Sequence, residues 1–405
     1  MNLYERAVQQ ALEGSGHHPV PVRWFTSALQ VHTNSRRTRA YVASQHHVVA
    51  HPSFVPAVLP VTDLYAVADP ALLGIIRSAA VGRPVSRRES FRGVWYACWK
   101  TGGDGAVMLV DAGHAYQHAL LTRDFRSWAV VGDRREDLGP VVSRIVRELV
   151  REDLLRRGAV TFHGAAAELA GGGGGVLLAG ASGAGKTSAA IRVGRGGGRA
   201  VGTDRSFLLE WGGTRILVGL PESTRLSVGS AEAMGIARAL RERSPIRGLN
   251  PFAQGGTDRS GEGPRTAKEP KVSLSNAEVH ELLGCGFVAA TPADSLVVLE
   301  SMPHASPRLD DLDPAEAVAA LRPHLLAPDP DYRSRWLTAE PGSEAPEAAT
   351  ARLSALVDGR PVRRLVWDPA LHCDDRVAQL LSPDTGRAVP DTTALATRAE
   401  RNVRR

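Results

Sequence analysis

The sequence is poor in cysteine and has no long apolar run. Its three cysteines, Cys98, Cys285 and Cys373, lie far apart and form no CxxC pair. This spacing argues against a disulfide framework or a structural zinc site, so buried free thiols are the simpler interpretation. No stretch of about 18 uncharged apolar residues is present, and residues 1–18 lack the apolar segment of a secretory signal. We therefore expect a cytoplasmic protein without a membrane partner.

Lysine is also scarce, whereas arginine is abundant and the formal charge is +6. Arginine spread along a chain is typical of a solvated surface, and it also favours anionic ligands. No basic run contains interleaved aromatic residues, which argues against nucleic-acid binding. The 405 residues, 43% of them hydrophobic, are enough for two or three domains with sizeable cores.

Short β-type runs dominate the chain up to residue 135, each bounded by glycine, proline, aspartate or asparagine. The runs occupy residues 20–25, 40–49, 94–100, 106–110 and 127–131. They predict a β-rich N-terminal domain over residues 1–135. Four tryptophans fall in this part, and we expect them in its core.

From residue 137 onward helical and strand patterns alternate, which predicts an α/β domain over residues 136–328. A helix is predicted up to about Gly158, followed by strands at 159–163 and 176–179, a helix at 185–193, strands at 200–202, 207–211 and 215–219, a helix at 276–283, a strand at 295–300 and a helix at 314–325. Residues 253–270, rich in glycine and charge, are interpreted as a mobile loop. Residues 329–405 form a C-terminal segment without an assigned role.

The strongest motif lies between a predicted strand and a predicted helix. It reads Gly180-Ala181-Ser182-Gly183-Ala184-Gly185-Lys186-Thr187 and fits the P-loop pattern GxxxxGK[ST]. Such glycines allow backbone N–H groups to surround a polyphosphate, and the following helix directs its N-terminal dipole at the same anion. The residues to which we assign nucleotide binding are Gly180, Ser182, Gly183, Ala184, Gly185, Lys186, Thr187 and Ser188.

Two of these residues have a predicted role in the chemistry. Lys186 is expected to neutralise the β- and γ-phosphates, and Thr187 to place its hydroxyl on Mg²⁺. Asp204 follows Thr187 by 17 residues at a predicted strand end. A carboxylate at this point can hold Mg²⁺ or take a proton from an acceptor hydroxyl. The alternative is that Asp204 is an ordinary turn residue.

The run from His163-Gly164 through the P-loop to Gly202-Thr203-Asp204-Arg205 resembles the catalytic domain of bacterial HPr kinase/phosphorylase and its relatives. In that family a strand ending in His-Gly precedes the P-loop, and a strand ending in Asp-Asp follows the P-loop helix. The resemblance covers residues 138–325. It implies an HPr-kinase-like P-loop catalytic domain with a mixed sheet, akin to ATP-type phosphoenolpyruvate carboxykinase. It also implies Mg²⁺-dependent phosphoryl transfer from ATP to a hydroxyl, usually that of a serine.

The sequence departs from this family in two places. Thr203 stands where the family has the first acid of its pair, which leaves Asp204 as the only carboxylate at that strand end. Residues 246–249 are similar to the family's second signature, but Pro245 stands where an acid is expected. Arg247 in that signature is therefore either a phosphate ligand or an ordinary loop arginine.

Three hypotheses follow, of which the third is an inactive scaffold that keeps the P-loop for stability alone. The first is an ATP-dependent kinase that phosphorylates a hydroxyl of a metabolite, a peptide or a protein. Its predicted catalytic residues are Asp204, His163, Lys186 and Arg247, and its predicted metal ligands are Thr187 and Asp204. The second is a nucleotide-dependent switch or regulatory ATPase that acts through a partner protein, which the lost acid at position 203 favours.

His163 carries its own alternative. By resemblance it lies beside the γ-phosphate, whereas the plainer interpretation is a histidine satisfied at a strand end. The N-terminal domain and the 253–270 loop are expected to select and cover the acceptor. Relatives in this family are often oligomers, which makes a homo-oligomer one expectation.

Overall fold

A computed structural model describes most of the chain. The described residues are 2–15, 18–49, 61–90, 93–101, 104–114, 116–172, 174–242, 271–331, 335–338, 345–369 and 374–381. Their helices are α1 (Leu3–Ser15), α2 (Arg36–Gln45), α3 (Pro70–Ala80), α4 (Arg135–Arg156), α5 (Lys186–Arg195), α6 (Val228–Ala233), α7 (Ala237–Glu242), α8 (Asn276–Leu283), α9 (Pro314–Leu321), α10 (Pro346–Val357) and α11 (Asp374–Leu381).

The strands lie in two large sheets and one small two-stranded sheet. They are β1 (Val20–Trp24), β2 (Ser27–Thr33), β3 (Val61–Ala68), β4 (Ser86–Glu89), β5 (Trp95–Lys100), β6 (Ala106–Val110), β7 (His118–Thr122), β8 (Trp128–Gly132), β9 (Val160–Glu168), β10 (Gly175–Gly180), β11 (Arg199–Gly202), β12 (Arg205–Trp211), β13 (Thr214–Gly219), β14 (Thr224–Ser227), β15 (Lys271–Leu274), β16 (Ala290–Ser301), β17 (Arg308–Asp311) and β18 (Val362–Trp367). The small pair is β14 with β15.

Strands β1 to β8 form one mixed sheet in the order β1-β2-β3-β8-β7-β6-β5-β4. Strand β3 is parallel to both β2 and β8, and the other neighbours are antiparallel. Helices α1 and α3 cover one face through Ala7 and Ile76, while α2 and α4 cover the other through Val42 and Val142. The predicted β-rich N-terminal region is confirmed, and it carries helices on both faces.

The strand predicted at 40–49 is wrong, because most of this run lies in α2. Ser35 caps the helix by accepting a hydrogen bond from the Thr38 backbone N–H. Thr38 and Val42 are both buried, four residues apart on one helical face. The tyrosine and valine content of the run favoured a strand, but burial follows the helical period.

Strands β9 to β13 and β16 to β18 form the second sheet, in the order β10-β9-β12-β13-β16-β18-β17 with β11 also paired to β9. Strand β16 is parallel to β10 and β18, and the other pairs are antiparallel, so the predicted α/β class with a mixed sheet is confirmed. Helices α5 and α11 cover one face, and α9 and α10 cover the other. Strand β18 belongs to the segment 329–405, which therefore completes this sheet.

One hydrophobic core joins the two sheets. It contains Trp24 of β1, Val142 of α4, Phe207 of β12 and Ile216 of β13. The indole N–H of Trp24 also donates a hydrogen bond to the carbonyl of Gly219 at the end of β13. The two sheets are formed by residues before and after position 135, but they share one hydrophobic core.

Most elements predicted after residue 137 are present, including the helices that became α4 and α8. The helix predicted at 314–325 is shorter, because α9 ends at Leu321 and a 3₁₀ turn, Arg322–His324, follows it. Pro323 has no backbone N–H and cannot continue an α-helix. The loop predicted at 253–270 lies outside the described residues. Among the described helices, none is both long and apolar enough to cross a bilayer.

Helix α4 buries an acidic side chain. Glu148 is 1% exposed, and its Oε2 lies 3.8 Å from Arg151 Nη1. Burial raises the pKa of Glu148 to about 7, although Arg151 acts in the opposite direction. The carboxyl group of Glu148 in the folded protein is therefore protonated in a pH range where an exposed glutamate is ionised.

We expect the stability of Glu148→Gln relative to wild type to increase with pH. The folded pKa is above the unfolded value, so the proton stabilises the wild type fully below pH 4.5, and this stabilisation disappears as pH rises through about 7. The change amounts to about 3 kcal/mol between pH 5 and pH 8. Urea unfolding followed by circular dichroism measures it, with the exposed Glu210→Gln as control. A constant difference between Glu148→Gln and wild type across this range would contradict the assignment.

Candidate functional site

The P-loop leaves the carboxyl end of β10, beside the carboxyl end of its parallel neighbour β16, which is in turn parallel to β18. Gly185 has a φ of +85°, and a Cβ there would lie 2.5 Å from a ring carbon of Trp367. A Cβ at Gly180 would lie 2.7 Å from the carbonyl oxygen of Leu299. Glycine at these two positions lets the loop lie directly against the neighbouring strands.

Trp367, the last residue of β18, packs against the P-loop. Its side chain is fully buried, and its Nε1 donates a hydrogen bond to the carbonyl of Ala184 at 3.0 Å. The guanidinium carbon of Arg192 on α5 lies 5.4 Å from the centre of the Trp367 ring, and Arg192 also donates to the carbonyl of Pro369. Residues of the segment 329–405 thus fix the shape of the P-loop.

The ammonium group of Lys186 lies against the first two residues of the loop. Its Nζ donates to the carbonyls of Gly180 at 2.7 Å and Ala181 at 2.9 Å. Burial lowers the pKa of Lys186 to about 8, and the negative charge of Asp204 acts in the opposite direction. An anion beside Nζ would favour the protonated form, as expected of a lysine that meets phosphate groups.

Thr187 connects the loop to the strand end at Thr203. Its hydroxyl donates a hydrogen bond to the Thr203 carbonyl at 2.9 Å. The Thr203 side chain is buried, and its hydroxyl lies 3.3 Å from that of the buried Thr224. Position 203, where the resembling family has an acid, is therefore packed inside the protein, and Asp204 is the residue of this strand end that reaches the site.

His163 and Asp204 meet across neighbouring strands. Strands β9 and β12 are antiparallel with His163 opposite Arg205, and the Gly164 N–H donates to the Asp204 carbonyl at 3.0 Å. This register brings His163 Nδ1 to 3.4 Å from Asp204 Oδ1, with both side chains partly exposed. Burial and the charge of Lys186 lower the pKa of His163, and Asp204 acts against them. The imidazole is therefore mainly neutral at neutral pH.

Arg205 lies in a buried cluster with four carboxylates and is only 4% exposed. Its contacts are Nη1 to Asp204 Oδ2 at 3.1 Å and to Glu222 Oε1 at 3.4 Å, Nε to Asp329 Oδ2 at 2.8 Å, and Nη2 to Asp331 Oδ2 at 2.7 Å. Burial raises the pKa of Glu222, and Arg205 opposes that shift. The guanidinium thus holds one oxygen of Asp204 and leaves the other facing His163.

Sequence reasoning missed the partners of Arg205 and the support from Trp367. Asp329 and Asp331 lie just beyond the predicted domain limit at 328, and Glu222 lies in a loop before β14. The alternation of proline and aspartate at 328–331 was a signal of an unusual acidic turn. Nothing in the spacing connected it to Arg205, because these contacts span more than a hundred residues.

The other predicted site residues divide into exposed and buried groups. Ser182 and Gly183 are exposed at the tip of the loop, whereas Ala184 and Ser188 are buried beneath it. Arg247 lies outside the described residues, so its phosphate role stays a prediction.

The side chains near the loop offer oxygen atoms, which are the type of ligand that Mg²⁺ prefers. Thr187 offers a hydroxyl and Asp204 a carboxylate, and the hydrogen bond from Thr187 to the Thr203 carbonyl keeps the two residues close. Mg²⁺ prefers oxygen ligands and commonly takes one or two from the protein, with water and phosphate supplying the rest.

Two comparisons with known proteins gave no match. No protein-family model matches the chain, and no curated protein sequence matches it. The resemblance to HPr kinase therefore depends on the residues quoted above.

We expect Trp367→Ala to lower the free energy of unfolding by roughly 3–5 kcal/mol, because it removes a buried indole and its hydrogen bond. Urea unfolding measures this loss, and hydrogen exchange at residues 184–186 should accelerate because the loop loses its support. Trp95→Ala is the matched control, since Trp95 is 36% exposed and its loss should cost about 1 kcal/mol or less. Equal losses for the two variants would contradict a supporting role for Trp367.

Proposed function

We propose that this protein is an ATP-dependent phosphotransferase that moves the γ-phosphoryl group of ATP to a hydroxyl acceptor. The observation that carries the proposal is the meeting of the P-loop with a histidine–carboxylate pair. Thr187 donates to the carbonyl of Thr203, the residue before Asp204, and Asp204 lies 3.4 Å from His163. A phosphate cradle and an acid–base pair thus occupy the same end of one sheet.

The triphosphate would bind with its phosphates in the P-loop. The loop N–H groups and the N-terminus of α5 would surround the α- and β-phosphates, and Lys186 would reach the β- and γ-phosphates. Thr187 would hold Mg²⁺, with phosphate and water oxygens as the other ligands, and the ion would supply charge neutralisation along the phosphates when bound. Lys186 would exchange its contacts with the Gly180 and Ala181 carbonyls for phosphate oxygens.

Transfer needs a base, a phosphoryl group and a leaving group in line. The acceptor hydroxyl gives its proton to Asp204 Oδ1 as its oxygen forms a bond to the γ-phosphorus. The bond between that phosphorus and the β–γ bridging oxygen breaks, and ADP leaves with the electron pair. Arg205 holds Asp204 Oδ2, which orients Oδ1, and Lys186 stabilises the charge that develops on the phosphoryl oxygens.

A second candidate is a nucleotide-dependent switch that acts through a partner protein. One observation favours it: the segment that carries Asp329 and Asp331 continues into contacts with α4 and with β4 of the first sheet. There Arg335 Nε lies 2.7 Å from Glu152 Oε2, and Arg88 donates to the carbonyl of Trp336. Occupancy of the P-loop would then be transmitted through Arg205 to the first sheet.

We expect Lys186→Ala to weaken ATP binding by about 10- to 150-fold, because a charged hydrogen-bond donor to phosphate is worth about 1.5–3 kcal/mol. Isothermal titration with ATP and Mg²⁺ measures the affinity. Lys100→Ala, at an exposed lysine of β5, should bind as the wild type does. Unchanged affinity in Lys186→Ala would remove the basis for nucleotide binding at this loop.

We expect Asp204→Asn to keep ATP affinity within a few-fold but to reduce transfer by about 10²- to 10⁴-fold, the usual contribution of a positioned base. The assay uses γ-labelled ATP with a panel of serine peptides and hydroxyl-bearing metabolites, and separates labelled product from free phosphate. Asp311→Asn, at an exposed position of β17, is the matched control. Slow release of free phosphate by the wild type with every acceptor in the panel would favour the switch, and full transfer by Asp204→Asn would assign the base elsewhere.

A further inference from the structure

A second histidine lies beside His163. His324 ends the 3₁₀ turn after α9, and the next residue, Leu325, forms an antiparallel bridge with Phe162. The Leu326 N–H donates to the carbonyl of Thr161 at 2.9 Å, in the same register. In an antiparallel pair, the residue after Phe162 faces the residue before Leu325. His324 is therefore the neighbour of His163 across this bridge.

The bridge lies on the P-loop side of β9. Strands β11 and β12 together occupy one edge of β9, with Gly202 opposite Ala166 and Arg205 opposite His163. Strand β10 occupies the other edge and makes its last pair there between Ala179 and Gly164. The 324–326 segment must share this second edge, so it begins where β10 turns away into the P-loop.

His324 consequently lies next to the start of the loop, where Gly180 and Ala181 hold the ammonium of Lys186. Its electrostatic environment agrees with this position. Burial lowers the pKa of His324, and the charges of Lys186 and His163 lower it further. A neutral imidazole keeps one ring N–H as a hydrogen-bond donor.

We propose that His324, beside His163 and next to Lys186, donates a hydrogen bond to the terminal phosphate of the bound triphosphate. The loop amides are directed at the inner phosphates, whereas the two histidines border the loop on the side of Lys186 and Asp204. This inference rests on the proposed function, because it assigns a further ligand of the same nucleotide. Its consequence is a site that distinguishes triphosphate from diphosphate through two side chains outside the P-loop motif.

The test compares ADP with a non-hydrolysable ATP analogue whose β–γ bridge is an imido group. His324→Phe keeps a ring of similar size and removes the donor. It should weaken binding of the analogue about tenfold or more and leave ADP affinity within about twofold. His324→Gln places an amide donor near the same point and should restore most of the affinity for the analogue. His114→Ala, at another half-buried histidine far along the chain, should alter neither affinity.

Each outcome separates this inference from the proposed function. If the wild type binds neither nucleotide, the proposed function fails and this inference fails with it. If the wild type binds both and His324→Phe binds both equally well, or loses both equally, the γ-phosphate contact is wrong while nucleotide binding stands. Equal losses in the Phe and Gln variants would assign His324 to steric support and overturn the donor role. If His324→Phe does not fold, His324→Ala gives the same comparison.

Discussion

The guanidinium of Arg205 connects the parts of the chain from which the candidate site is assembled. It lies at the start of β12 and contacts carboxylates from its own strand end, from the loop before β14 and from the segment after α9. A buried guanidinium is costly unless its charge and its N–H groups are satisfied, and one removed partner leaves the rest uncompensated. The orientation of Asp204 beside His163 depends on this balance.

The segment after α9 also reaches the first sheet. Asp329 and Asp331 face Arg205, while Trp336 stacks on Tyr96 with ring centres 5.0 Å apart. Because one short segment serves both places, a shift of the first sheet would alter the carboxylates around Arg205. The shared core of Trp24, Val142 and Phe207 makes such a shift costly, since close-packed interiors transmit displacement. The shared hydrophobic core therefore holds the two sheets together.

Local patterns predicted the elements that position the P-loop. Residues 176–179 and 185–193 were expected as strand and helix, and β10 and α5 occupy these positions. The strand predicted at 40–49 was wrong. The composition of this run favoured a strand, whereas the cap at Ser35 and the burial of Val42 specify a helix. Helices α1 and α3 were not expected either.

The surroundings of the site were beyond such patterns. A sequence pattern identified Lys186 and Thr187 as P-loop residues. The position of Asp204 at the end of a predicted strand made it a candidate. Asp329 and Trp367 were not identified, since each meets the site through a contact between residues more than a hundred positions apart. The neighbour relation of His163 and His324 likewise appears only once the strand register is known.

The support of Ala184 by Trp367 has a consequence for the order in which the chain becomes competent. The P-loop ends at residue 187, but the indole that holds its backbone is made about 180 residues later, in β18. During synthesis the loop would leave the ribosome long before its support exists. Between those moments Gly185 has no indole ring to pack against, although Leu299, the neighbour of Gly180, is made earlier. The support of the P-loop is thus completed among the last features of the molecule, after both sheets have nearly all their strands.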